Sequence, residues 1–172
     1  MGEVARRTRA EHDRGTLLHA LAEGYHGPAW HGASLRGALA GVRAGEATWR
    51  PAEGRPSIWE LALHAAYGKH RVLGRLDRAL ASRFPRRLRR AWWPELPAEL
   101  DERAWRADLG LLEECHRRLA DAVATADPAR LRARRAGSAR TIGEELLGIA
   151  MHDVYHAGQV RLLRKLYAAR GR

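Results

Sequence analysis

Ile149-Ala150-Met151-His152-Asp153-Val154-Tyr155-His156-Ala157-Gly158-Gln159 lies inside a long segment of helical periodicity. The segment opens at Thr141-Ile142-Gly143-Glu144, a capping box in which the Thr hydroxyl and the Glu carboxylate each bond the other's backbone amide. It continues as helix to about Ala169. On such a helix His152 and His156 stand one turn apart on the same face. Two imidazoles so placed can share a divalent metal ion. Many helices carry two histidines on one face for no such reason, so a metal reading needs a third ligand from elsewhere.

Upstream, Ser57-Ile58-Trp59-Glu60 is a second capping box, with Pro56 stopping the helix from running backward. The helix it starts should reach about Leu80. Its inner face reads Leu61, His64, Ala65, Gly68, Val72 and Leu76. His64 thus falls on an apolar face, where two readings stand: a hydrogen-bonded core histidine, or the third ligand. One His from one helix plus His-x3-His from another puts three nitrogens on one side of a metal. The remaining positions stay open to water or substrate, the layout of a catalytic rather than a structural site.

Two other helices follow from the pattern. Ser34 to Val42 places Leu35, Leu39 and Val42 on one face, with Gly41 and Gly45 closing it. Asp101 or Glu102 to Thr125 turns Trp105, Leu109, Leu112, Cys115 or His116, Leu119 and Val123 inward, ending at Asp127-Pro128. Leu17, Leu18, Leu21 and Tyr25 suggest a short extra N-terminal helix, preceded by a polar, frayed stretch over 1–13. Residues 82–100 are a connection too rich in proline to be helical throughout, and Leu131 to Arg135 is the nearest approach to an extended segment. No internal repeat or dividing linker is visible. The expectation is an all-α four-helix bundle spanning 1–172 as a single domain.

The formal charge is +11, from 31 basic and 20 acidic residues, and only Lys69 and Lys165 are lysines. Scattered arginines fit a GC-rich coding bias better than a duplex-binding face, so nucleic acid is not the expected partner, while anionic small molecules are favoured. No apolar run would span a bilayer and no secretory leader is expected. A lone cysteine, Cys115, fits a reducing cytoplasm, and it reads as a small buried hydrophobe.

Three runs together resemble a known family: Gly27-Pro28-Ala29-Trp30-His31-Gly32, Ser57-Ile58-Trp59-Glu60-Leu61 with His64, and His152-Asp153-x-Tyr155-His156-Ala157-Gly158-Gln159. In order and spacing they look like the DinB-like (YfiT-like) superfamily of four-helix bundles, over about residues 15–168. The resemblance implies that His64, His152 and His156 ligate zinc, nickel or another divalent metal. It also implies a metal-dependent, thiol-linked transferase or isomerase using a low-molecular-weight thiol such as mycothiol or bacillithiol. Members without known turnover make a non-catalytic metal-binding stress or interaction protein the alternative, and a basic nucleic-acid-binding protein is the second. Homodimerisation is the family habit, and the Trp92-Trp93 pair is expected to be exposed for it.

Around this site His31 reads equally as a substrate-contacting group at the cavity mouth or as a contact between loop and bundle. Gln159 shares the face of His156 and could bond substrate or simply satisfy a buried group. Asp153 is rotated about 100° from His152, too far for a direct ligand, though free to orient a histidine or bond a loop amide. Tyr155 and Trp59 read as core.

Overall fold

In the computed structural model, which describes residues 2–80 and 82–170 but not the side chains of 2–10, seven helices dominate. They are α1 (Gly2–Tyr25), α2 (Leu35–Leu39), α3 (Ala44–Thr48), α4 (Ile58–Leu76), α5 (Glu102–Thr125), α6 (Pro128–Arg132) and α7 (Ile142–Ala169). A 3-10 turn, Arg78–Leu80, and a two-residue-wide antiparallel hairpin of β1 (Leu88–Arg90) and β2 (Trp93–Pro94) lie between α4 and α5. The chain is all-α, as the periodicities require. Both capping boxes form, at Ser57/Glu60 and Thr141/Glu144, and Asp101 caps α5 through the amide of Ala104.

The four long helices α1, α4, α5 and α7 enclose two apolar clusters. One contains Tyr25, Trp59, Leu61, Trp105, Leu112, Val160 and Leu163. The other contains Leu21, Val72, Leu76, Leu119, Val123, Leu146 and Ile149. Following each helix between the clusters gives the topology. Helices α4 and α5 run from the first cluster to the second, whereas α1 and α7 run from the second to the first. Because α4 and α5 are parallel, the chain must return along the bundle between them. Residues 77–101 do this, and that is why the connection is long.

Several expectations need correcting. The N-terminal helix is not the short extra piece. It spans 24 residues as a full member of the bundle, while the segment from Ser34 to Val42 is helical only over Leu35–Leu39. Gly41, at φ +74°, breaks that segment early. The stretch 1–13, expected to fray, is rich in good helix formers (Ala, Glu, Arg) and is helical from Gly2; Met1 lies outside the described residues. Gly45 sits inside α3 rather than closing a helix. Helix α4 stops at Leu76, because Asp77 leaves helical conformation and turns its carboxylate onto the amide of Ala79. Leu131 and Arg132 are helical, and only Arg134 makes a strand-like bridge, to Thr141.

The returning segment is strapped down by charge. Arg86 bonds the buried Asp108, whose other oxygen accepts the Trp59 indole N–H at 2.8 Å. Arg89 reaches Glu60 at 3.0 Å. These contacts hold the hairpin against α4 at the level of His64.

Candidate metal centre

Between the two apolar clusters runs a polar layer: Tyr25 from α1, Lys69 from α4, His116 from α5, and His152, Asp153 and His156 from α7. His64 joins it from α4. The side of the layer between α4 and α7 brings together the three histidines picked out from the sequence. The Nε2 atoms of His64 and His152 are 3.0 Å apart, and those of His152 and His156 are again 3.0 Å apart. All three residues offer ligand atoms within 4.8 Å of one another, so they can hold a metal ion. Nitrogens bound to one ion at about 2.0–2.1 Å stand roughly 3–3.4 Å apart, which matches the two 3.0 Å separations.

The outward-facing nitrogens show how the rings are oriented. His64 Nδ1 lies 2.6 Å from the carbonyl oxygen of Trp92. A carbonyl only accepts, so the ring proton sits on Nδ1 and the Nε2 lone pair points inward. His156 Nδ1 lies 2.6 Å from Gln159 Oε1, and the same amide donates from Nε2 to the Tyr155 hydroxyl at 3.1 Å. With the amide oxygen facing His156, the ring proton sits on Nδ1 and His156 also turns a lone pair inward. Both lone pairs meet at His152 Nε2, which can carry one proton at most when the ring is neutral. His152 Nδ1 has no hydrogen-bond partner. Neutral imidazoles therefore cannot satisfy this arrangement among themselves, whereas a cation at the meeting point would satisfy all three Nε2 atoms.

Protonation does not resolve the conflict either. Burial lowers the pKa of His152 to about 3, helped by His156 and His64. Burial likewise takes His156 down to about 4, against a small upward pull from Gln159. His64 is shifted down by burial, opposed by its bond to the Trp92 carbonyl and reinforced by Arg90. All three are neutral at pH 7, the state that coordinates metal.

The hairpin supplies the support for His64. The Trp93 ring stacks on it with centroids 4.4 Å apart and planes 11° from parallel, and Arg90 lies 5.2 Å from the centre of the Trp93 ring. Trp92 adopts φ +69°, the left-handed region that costs a bulky residue energy. Its carbonyl is the one that holds His64. Gly68 leaves room on the other side: a Cβ there would stand 3.0 Å from Ile149 Cδ1 and 3.5 Å from the His152 ring.

The remaining candidates divide. Gln159 is in place, oriented toward His156. His31 is exposed on the turn after α1, its ring against Trp30 and not in contact with any histidine of the cluster. Tyr155 was expected in the core but is 63% exposed, because it lies on the solvent side of α7; it meets the site through Gln159 and edge-on against the His156 ring, with centroids 5.1 Å apart. Trp59 is fully buried, as expected. Trp92 is exposed, as expected, whereas Trp93 is partly covered by its stack on His64. Asp153 neither orients a histidine nor bonds a loop; it forms a buried ion pair with Lys69. Cys115 is buried and its thiol is pushed up to about 11 by burial, which makes it a poor nucleophile. Reading the sequence alone missed Trp92 and Trp93 as supports, and Lys69. The signal for Lys69 was available: a lysine one position after Gly68 on an otherwise apolar helix face.

A family model described as the DinB superfamily matches residues 29–160. The chain belongs to the DinB superfamily. Searches of curated proteins and of solved structures gave no match. No helix among the described residues is long and apolar enough to cross a membrane.

Proposed function

We propose that His64, His152 and His156 hold a divalent metal ion, zinc or nickel, and that the protein is a metal-dependent enzyme joining a low-molecular-weight thiol to a small electrophile. The observation that carries this reading is the convergence of three Nε2 atoms whose outer nitrogens are engaged elsewhere in two of the three rings. When bound, such an ion supplies Lewis acidity, lowering the pKa of a coordinating thiol toward neutrality while leaving positions for substrate.

The chain's own residues do the rest. The Trp92 carbonyl and Gln159 hold two rings in the tautomer that coordinates. Trp93 shields one face of His64. Arg71, 5.4 Å from the centre of the Trp92 ring, and Arg90 have no carboxylate partner among the described residues. Both are suited to hold an anionic group on a substrate. A groove of about 340 Å³ begins at Gln159 and runs between Pro51-Ala52 and Leu162, with Leu61 on its floor and Arg55 at its edge. It would take the apolar part of the same molecule. In the reaction a sulfur–carbon bond forms, the leaving group departs with the bonding pair, and the thiol proton passes to solvent.

The test is direct. Tag-free protein is assayed for loss of free thiol with an activated aryl halide as acceptor, with and without zinc or nickel. Turnover requiring both metal and the three histidines supports the proposal. Metal binding without turnover over a panel of thiols and electrophiles would leave the non-catalytic metal protein as the better reading.

A further inference from the structure

One polar contact between α4 and α7 is left unexplained by the site above. Lys69 Nζ bonds Asp153 Oδ2, and both side chains are completely buried. Helix α1 closes over them. Gly24 packs so tightly on α7 that a Cβ there would come within 2.7 Å of the Ala150 carbonyl and 3.5 Å of Asp153 Cβ. The Tyr25 ring covers Lys69 Nζ, with its centroid 4.9 Å away. The rest of the polar layer gives little compensation: Asp153 Oδ1 and His116 Nδ1 have no hydrogen-bond partner.

Stability does not explain such a pair. Removing two charges from water is costly, and apolar residues of similar volume commonly do as well or better in the same place. An apolar seam, however, tolerates sliding. An ion pair with a single partner on each helix does not, and fixing register is the best-attested use of buried polar groups. Position supports this use. Asp153 directly follows His152 on α7. Lys69 lies five residues beyond His64 on α4, about 7.5 Å further along the axis. On α7 the two anchors are only about 1.5 Å apart along the axis but about 100° apart around it, so α7 is gripped on two faces, once between His64 and His152 and once between Lys69 and Asp153. Two points stop both sliding and rotation, where one would stop neither fully.

We infer that Lys69 and Asp153 are positioning residues that hold α4 and α7 in the register at which His64 meets His152 and His156. This rests on the metal reading of the three histidines, and the test keeps the two separable.

The double variant Lys69→Met/Asp153→Leu removes both charges at once and leaves neither partner stranded. Parent and variant are compared by far-UV circular dichroism, by Co²⁺ titration followed in visible absorption, and by imidazole nitrogen NMR of the metal-free proteins. A folded variant with at least tenfold weaker Co²⁺ binding, an altered Co²⁺ spectrum and multiple or broadened imidazole signals supports the inference. A Co²⁺ affinity within twofold of the parent, with the same spectrum, overturns it. If the parent binds no Co²⁺, the metal reading fails, and the metal-free imidazole spectra decide the positioning role alone: identical spectra overturn it. Should the Met/Leu variant not fold, Lys69→Gln/Asp153→Asn is held to the same outcomes.

Discussion

The seam between α4 and α7 carries two polar clusters one after the other, and they are built on opposite principles. Lys69 and Asp153 match each other in charge: a donor cation meets an acceptor anion, although Asp153 Oδ1 has no hydrogen-bond partner of its own. The three histidines do not match. Two lone pairs converge on a third ring, and no neutral tautomer of the group satisfies all of its nitrogens. Polar groups that satisfy one another hold structure together; polar groups that converge without satisfying one another mark where something else binds. Side by side in one interface, the two arrangements give a bundle with a rigid half and a receptive half.

The contrast can be broken first at its rigid half. Lys69→Met alone leaves Asp153 buried without its cation. Loss of one partner of a buried pair costs about 3–5 kcal/mol, so this single variant should be far less stable in urea denaturation than the double Lys69→Met/Asp153→Leu. Equal stability of the two would mean that the pair is not coupled as described.

At the receptive half the largest expected effect is on metal content. His64→Ala, His152→Ala and His156→Ala should each abolish stoichiometric binding measured by elemental analysis, while His12→Ala and His19→Ala should leave it unchanged. The metal-free stability should fall least in His152→Ala, whose Nδ1 has no hydrogen-bond partner, and more in His64→Ala and His156→Ala, which strip the partners of the Trp92 carbonyl and Gln159.

Acidification sharpens the difference further. His116 is buried against Tyr25 and held at about 3 by burial and by Lys69, and His152 and His156 lie near 3 and 4. An unfolded histidine titrates near ~6.5, so below that pH the unfolded chain binds more protons than the folded one. Stability of the metal-free protein should therefore hold above about pH 6.5 and decline steadily toward pH 4. Metal, competing with protons only at these depressed values, should be retained at pH 6 and released nearer to pH 4. Release complete at pH 6 would show that the rings are not buried as described.

Smaller effects should follow from the supports. Gln159→Leu removes the acceptor for His156 Nδ1, and loss of such a partner typically weakens metal binding about 10- to 100-fold. Trp93→Ala, which strips a stacking face but no hydrogen bond, should fall at or below the low end of that range. Both are read by competitive chelator titration.

Most of the receptive half was legible in the sequence, because its signals are periodic. His152 and His156 are one helical turn apart, and His64 sits three residues past Leu61 on the inner face of a helix started by a capping box. Trp92 and Trp93 were not legible as supports. They act through a hairpin in the connection that returns along the bundle, and nothing local to that segment tells which helix it will cross. The rigid half was hidden for a different reason. A lysine on an apolar face and an aspartate beside a histidine each have ordinary local explanations, and their pairing depends on the relative direction of α4 and α7. The lengths of α1 and α2 were misjudged because apolar periodicity finds buried faces. It underrates a helix whose outer turns are carried by Ala, Glu and Arg, and it extends a short one up to the next glycine.

The central claim is that three histidines from two helices form one metal site. The most direct measurement is the metal content and affinity of tag-free protein purified without added metal and then titrated with zinc and nickel. One ion per chain, bound with micromolar affinity or better and lost in His64→Ala, is the expected result. Absence of binding at that level in the parent, or undiminished binding in His64→Ala, His152→Ala and His156→Ala alike, would contradict it.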